Sequence, residues 1–163
     1  MRGANEASVA AHPPDGPGHH RTVANPLTTR WLNGEQSGIA KLIGFRLTTL
    51  APDHALVEFE PGPQHSNPMG TLHGGVLCDI ADAAMGMAWI AGLAEGESFT
   101  TVELKINFLR PVWNGKLIAE GKVIRRGRTI GYTECEIRDE AGRLVAKSSS
   151  TCMTLRGDQA AGR

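Results

Sequence analysis

Alternation of apolar and polar side chains marks the second half of the chain. From Val102 to Phe108 the apolar residues alternate with Glu103, Lys105 and Asn107, the pattern of a strand with one buried face. Three further apolar segments follow, at 117–125, 130–138 and 143–155. The residues between these segments, 114–115, 126–128 and 140–142, have the composition of hairpin turns. The pattern predicts four consecutive antiparallel strands.

A long segment from about residue 74 to residue 93 is apolar on nearly all sides and rich in alanine, which predicts a buried helix. Two strands joined by a turn at 52–54 are predicted before it, and a short helix from Asn25-Pro26 to about Asn33. Small side chains along the last strand suit a helix packed against the sheet. These elements predict an α+β domain in which an antiparallel sheet wraps one long central helix.

The chain is expected to form one domain between residues 25 and 156. Residues 1–24 are rich in Pro, Gly and His without apolar periodicity, so they are predicted to form a disordered tail, and residues 157–163 a second one. The tail carries His12, His19 and His20, but without a rigid scaffold these histidines do not predict a metal site. A sheet this small exposes an edge strand, which a second copy can cover.

Composition narrows the class of partner. The 17 basic and 17 acidic residues cancel, so bulk charge does not indicate binding to nucleic acid or to an anionic membrane. Three cysteines without metal-ligand spacing, and the lack of a leader pattern, predict a reduced, cytoplasmic protein. Residues 76–94 are nearly long enough to span a bilayer, but Asp79 and Asp82 would each cost about 2.5–3.5 kcal/mol there. A helix of a soluble protein is predicted instead.

Three segments together resemble the PaaI-like hotdog thioesterase family: Asn67-Pro68-Met69-Gly70-Thr71-Leu72-His73-Gly74-Gly75-Val76-Leu77, then Asp82, then Asn107-Phe108-Leu109-Arg110-Pro111. The resemblance covers about residues 37–155. It implies a hotdog fold, a homodimer joined sheet edge to edge and possible assembly into a dimer of dimers. It also implies hydrolysis of acyl-CoA thioesters, with coenzyme A as part of the substrate and no separate cofactor or metal.

Two residues are the main candidates for the chemistry. Thioester hydrolysis needs a nucleophile or general base, and donors aimed at the oxyanion that forms. The resemblance assigns the first role to Asp82, with Asp79 as the rival, and leaves nucleophile and general base open. Gly74 begins the helix, where the first N–H groups lack partners and lie at the positive end of the helix dipole. Its amide is the predicted oxyanion donor, and a tight turn is the structural alternative.

Other motif residues have weaker assignments. Asn67 is predicted to hold a water or the substrate carbonyl, although asparagine before proline is also common in loops. His73 resembles a residue that steadies the loop rather than an acid or base. Thr101 resembles a hydroxyl near the catalytic acid. Cys78 is interpreted as a small buried hydrophobe, because nothing in the sequence lowers its pKa.

Coenzyme A carries phosphates that need donors and cations. Gly75 is one candidate for CoA binding, because a glycine lets a ligand approach the backbone closely. Four arginines at predicted strand ends or turns are the other candidates: Arg110, Arg125, Arg126 and Arg128.

The sequence therefore predicts a thioesterase acting on an aryl- or medium-chain acyl-CoA. Two alternatives remain: a non-catalytic acyl-CoA-binding module, and an acyl-thioester dehydratase or hydratase. The second would need a histidine paired with an acid, and the predicted helix offers only the acid.

Overall fold

The computed structural model describes residues 25–161. Three α-helices precede or interrupt the strands in this part of the chain: α1 (Pro26–Leu32), α2 (Gly38–Ile43) and α3 (Gly74–Ile90). The strands are β1 (Arg46–Ala51), β2 (His54–Phe59), β3 (Ser98–Phe108), β4 (Leu117–Arg126), β5 (Ile130–Asp139) and β6 (Leu144–Leu155). Short 3₁₀ turns lie at Pro63–His65 and Gly157–Gln159.

The strands form one antiparallel sheet in the order β1-β2-β4-β5-β6-β3. β4, β5 and β6 are joined by hairpins, whereas β3 crosses to the far side of β6 and becomes an edge strand. The other edge is β1, whose turn into β2 places Asp53 at φ 59°. β3 carries a bulge between Thr101 and Glu103, so Val102 is the extra residue on that edge.

Helix α3 lies across the sheet and contacts all six strands. Its buried side chains include Ile80, Ala84, Met85 and Trp89, each without solvent exposure. The helix approaches β4 so closely that a Cβ atom on Gly121 would overlap the backbone of Ala84. Glycine at this position therefore sets the spacing between the helix and the sheet.

The predicted architecture is confirmed: one antiparallel sheet wraps one long helix. The structure differs in four details. Helix α2 was not predicted, β3 begins at Ser98 rather than at Val102, and α3 ends at Ile90. Gly157–Gln159 forms a 3₁₀ turn, so the first residues of the predicted C-terminal tail are ordered. Residues 1–24 and 162–163 lie outside the described residues.

Asp79 and Asp82 argue against membrane insertion of the apolar segment that forms α3. Within residues 25–161, α3 and the other helices are too short or too polar to cross a bilayer.

Gly121→Ala should destabilise the protein by about 1–3 kcal/mol, because the added methyl group has to displace the backbone of α3. Urea denaturation monitored by circular dichroism measures the change. Gly38→Ala is the matched control, since a Cβ atom there meets nothing within 4 Å. Equal stability of the two variants would show that α3 does not pack against β4 at this spacing.

Candidate active site

The loop that leads into α3 is organised by Asn67. Its side-chain oxygen accepts hydrogen bonds from the backbone N–H groups of Met69 (2.9 Å) and Thr71 (3.1 Å). Its amide nitrogen donates to the Thr71 hydroxyl at 2.8 Å, and its own N–H donates to the Thr71 carbonyl at 2.7 Å. The geometry thus matches the loop-forming alternative for Asn67, and only the second hydrogen of Nδ2 is left for a ligand.

Two histidines fix the start of α3. His65 is buried, accepts the N–H of Gly62 on Nδ1 at 2.9 Å and packs edge-on against Phe59. Its carbonyl accepts the N–H of His73 at 2.9 Å. His73 is the N-cap residue, and its Nδ1 accepts the N–H of Gly75 at 2.9 Å. The supporting role predicted for His73 agrees with this geometry.

The amide of Gly74 differs from its neighbours in the loop. Among residues 25–161, no acceptor for its N–H is found, whereas the N–H groups of His73, Gly75 and Val76 are all bonded. Gly74 is the first residue of a 17-residue helix, so its N–H also lies at the positive end of the helix dipole. The ring of Phe108 lies 2.8 Å from where a Cβ atom on Gly74 would be. A side chain at 74 would therefore collide with this ring.

Asp82 lies two turns further along α3 and is exposed. Its Oδ1 accepts a hydrogen bond from the Thr101 hydroxyl at 3.0 Å, as the resemblance predicted for these two residues. Asp79 lies on the same side of the helix and is half-buried. Burial and, secondarily, the charge of Asp82 raise the pKa of Asp79 above its usual value.

Both acids border a groove of about 250 Å³ with mostly apolar walls. Helix α2 and the residues beside it contribute Ile39 and Phe45, and β3 contributes Phe99. Gly86 lies on the floor, with the edge of the Phe99 ring 3.0 Å from where its Cβ atom would be.

Gly74 lines a different groove. That groove has a volume of about 350 Å³ and is lined by Asn67, Gly74 and the segment Phe108–Val112 together with three further residues: Thr71, Leu72 and Leu77. It shares no lining residue with the groove of Asp82. Eight residues of straight helix separate Gly74 from Asp82, which corresponds to about 12 Å along the axis.

Comparison with known proteins identifies the family. Residues 69–146 match the thioesterase superfamily model. A protein of Saccharolobus solfataricus with a provisional esterase name is 34% identical over 118 residues, or 72% of this chain and 84% of that one. Human acyl-coenzyme A thioesterase 13 is 27% identical over 107 residues, or 64% of this chain and 76% of the human protein.

Solved structures agree. The PaaI protein of the E. coli phenylacetic acid degradation operon superposes with a TM-score of 0.73 at 25% identity, covering 80% of this chain and 94% of that one. A thioesterase from Haemophilus influenzae superposes with a TM-score of 0.71 at 26% identity, covering 74% and 85% of the two chains. The chain belongs to the thioesterase superfamily. It is a PaaI-like thioester hydrolase.

Two of the residues predicted to bind CoA, Gly75 and Arg126, make hydrogen bonds within the chain instead. The N–H of Gly75 is bonded to His73. Arg126 donates to Asp53 Oδ1 at 2.7 Å and to the Trp89 carbonyl at 2.9 Å, and it stacks over the Trp89 ring at 4.0 Å. Its charge is paired at the C-terminal end of α3, which makes it a weaker candidate for CoA phosphate than the exposed arginines.

The other three arginines are available. Arg110, Arg125 and Arg128 are exposed, and their guanidinium groups make no ion pair within the described part of the chain. Arg110 lines the Gly74 groove, whereas Arg125 and Arg128 line neither groove of the candidate site.

The cysteines and possible metal ligands add no further chemistry to the thioesterase site. Burial and the charge of Asp79 raise the pKa of the Cys78 thiol, which disfavours the thiolate that a nucleophile requires. Residues 25–161 contain no group of three or more His, Cys, Asp or Glu side chains arranged to hold a metal ion.

Sequence reasoning missed His65, Phe99 and Phe108 as parts of the site. His65 could have been suspected only from its place in the loop before Asn67, because its partners are backbone groups. Phe108 shows ordinary strand periodicity, whereas Phe99 lies before the alternating segment and is separated from it by the bulge at Val102. The contacts of the two rings with Gly74 and Gly86 depend on how α3 crosses β3.

Proposed function

We propose that this thioesterase hydrolyses an aryl- or medium-chain acyl-CoA at a site formed by two copies of the chain. Asp82 of one copy supplies the nucleophile or general base, and the Gly74 amide of the other supplies the oxyanion donor. The observation that carries the proposal is that these two groups border separate grooves of one chain. Both have to lie about 3 Å from the same thioester carbonyl, which about 12 Å of straight helix prevents.

The proposed hydrolysis uses the Asp82 carboxylate and the Gly74 N–H. A water deprotonated by Asp82, or the carboxylate itself, attacks the thioester carbon and forms a tetrahedral oxyanion. The Gly74 N–H donates to that oxyanion. Collapse breaks the carbon–sulfur bond and releases the CoA thiolate, which is protonated. If Asp82 attacks directly, a mixed anhydride forms, and water hydrolyses it in a second step.

Thr101 positions the acid. Its hydroxyl donates to Oδ1 of Asp82, so Oδ2 remains free to accept a proton from water or to attack carbon. Residues lining the Asp82 groove of the same chain include no histidine among those described. In the shared site the histidine beside the second copy's Gly74 is His73, and its Nδ1 already caps α3 by accepting the N–H of Gly75. A hydratase would need a second group for proton transfer at carbon, and this capping role disfavours His73 for that part.

The groove beside Asp82 supports the acyl preference. It runs towards the C-terminal end of α3 along Ala83, Gly86 and Ile90, and eight residues from Asp82 to Ile90 correspond to about 12 Å. Apolar walls of this length suit a medium-length acyl chain.

The free edge of β3 supports one arrangement of the two copies. In one chain Thr101 touches Asp82, and Phe108 touches Gly74. Asp82 therefore meets the second copy's Gly74 if the two β3 strands pair antiparallel with Thr101 opposite Phe108. Because Val102 is an extra bulge residue, this register puts a two-fold axis at Lys105.

Asp82→Asn should lower kcat by at least ~100-fold with little change in KM, because the carboxylate acts in the transition state. Release of CoA thiol, followed with a disulfide reagent, measures both constants on a panel of acyl-CoAs. Asp79→Asn is the matched control, on the same helix face but without the Thr101 bond, and should retain most activity. Loss of activity in the control alone would transfer the role to Asp79.

Mixing two inactive variants should restore activity. Asp82→Asn and Gly74→Pro each inactivate both sites of their own dimer. Gly74→Pro removes the amide at the first position of a helix, where the backbone tolerates proline, and His73 already has an extended backbone of φ −67° and ψ 132°. The added Cβ atom meets the Phe108 ring, which is exposed and has to shift, so circular dichroism of the variant checks that it folds. After random reassortment, half of the dimers are mixed and hold one intact site, so activity should reach roughly a quarter of wild type. Tagged heterodimers without activity would refute a shared site.

Lys105→Cys should form a disulfide across the two-fold axis. Residues opposite each other in an antiparallel pair have Cα atoms about 4.5–5.5 Å apart, within the range that a disulfide spans. The background is Cys78→Ser, because Cys135 and Cys152 are buried. Thr49→Cys, on the opposite edge strand β1, is the control. Non-reducing electrophoresis that finds crosslinking through residue 49 and not through 105 would exclude the β3 arrangement.

A further inference from the structure

A third groove lies next to the Gly74 groove. It has a volume of about 450 Å³, within the range of ligand sites. Its walls are the segment from Arg110 to Lys116 and the β5–β6 hairpin, from which Asp139, Glu140, Ala141, Arg143 and Val145 contribute. The two grooves share Arg110, Pro111 and Val112. A long, narrow ligand with its carbonyl at Gly74 can therefore continue over Arg110 into this groove.

An exposed tryptophan, Trp113, lines this groove, and backbone hydrogen bonds fix the segment before it. Trp113 is 65% exposed. The residue before it, Val112, is buried and accepts the N–H of Leu72 at 2.7 Å, and Leu109 and Arg110 both donate their N–H groups to the Val145 carbonyl. The Trp113 indole is therefore exposed to solvent, while the backbone that carries it is held by hydrogen bonds. A flat aromatic face of this kind stacks well on a nucleobase.

The charges around Trp113 suit phosphate groups. Arg110, Lys116 and Arg143 line the groove, against Asp139 and Glu140. Arg143 is paired with Asp139 at 2.7 Å, and Lys116 lies 3.7 Å from Glu58. Asp139 also accepts the backbone N–H groups of Ala141 and Arg143, so its charge is compensated locally. Arg110, unpaired within the described residues and shared by both grooves, is the principal candidate for a phosphate ligand.

We infer that the groove of Trp113 binds the 3′-phosphoadenosine diphosphate half of the coenzyme A thioester, with adenine on the indole and a phosphate on Arg110. The inference rests on the proposed function, because it extends the acyl-CoA from the Gly74 amide. The distance is compatible: Phe108 touches Gly74, and the five residues from there to Trp113 span at most about 17 Å. Pantetheine is the flexible arm that covers this span.

The experiment compares one acyl group carried by CoA and by pantetheine, which lacks the nucleotide. Trp113→Ala and Arg110→Ala should each raise KM for the acyl-CoA by about tenfold without changing kcat, since stacking or a phosphate contact is lost in ground and transition state alike. Neither variant should change the kinetics of the acyl-pantetheine. Trp113→Phe should keep most of the affinity, and Glu140→Gln should lower KM for the acyl-CoA by removing a repulsive charge.

Lys122→Ala, which removes a cation from β4 outside the groove, is the control for net charge. Light scattering checks the oligomeric state. Equal KM values of the wild type for the two substrates would overturn the inference and leave the proposed function standing. A rise in KM for both substrates, together with a smaller mass of Trp113→Ala, would overturn it in favour of a contact between copies.

If the wild type cleaves no acyl-CoA, the proposed function fails, and adenosine 3′,5′-diphosphate then tests the groove alone. Calorimetry should detect its binding to the wild type and not to Trp113→Ala. Equal binding, or none to either protein, would refute the nucleotide site.

Discussion

The structure depends on the burial of one almost wholly apolar helix by one sheet. α3 contacts all six strands, and its backbone lies directly against Gly121. Such packing leaves the helix two places where it meets solvent: its first turn, and the strip that carries Asp79, Asp82 and Ala83. The two groups proposed for the chemistry, the Gly74 amide and the Asp82 carboxylate, occupy these two places. A free amide and an exposed carboxylate are tolerated on a buried helix because both lie where the sheet ends.

In the proposed site, the same packing couples catalysis to the assembly of two copies. α3 is held along its whole length, so the helix cannot bend to bring Gly74 to Asp82. The unpaired edge of β3 runs past both groups, since Thr101 touches the acid and Phe108 touches the glycine. An edge strand favours pairing with another strand, whatever the function. In the proposed arrangement that pairing also completes the site, so one interaction satisfies the backbone of β3 and the chemistry of α3.

Local patterns in the sequence predicted the strands, the long helix and the motif residues, because periodicity and turn composition act over a few residues. They could not predict contacts between distant segments. Arg126 was expected to be free, yet Asp53 and Trp89, 73 and 37 residues away, pair with it. His65 and the short helix α2 were missed for a different reason. The partners of His65 are nearby backbone groups, and the six-residue α2 is marked only by its caps, Ser37 and Gly44. Like the contacts of Arg126, the groove of Trp113 arises only when distant segments meet, here the segment after β3 and the β5–β6 hairpin.

Hydrogen bonding in the loop before α3 explains why its polar residues need not touch the substrate. Asn67 accepts two backbone N–H groups, His65 accepts one on its ring and one on its carbonyl, and His73 accepts that of Gly75. Each bond satisfies a donor that would otherwise compete for the oxyanion or move. The Gly74 N–H is left alone, fixed in direction before the substrate arrives. A donor that needs no reorganisation stabilises developing charge most effectively. In the proposed mechanism the motif therefore contributes by fixing the backbone around the Gly74 amide.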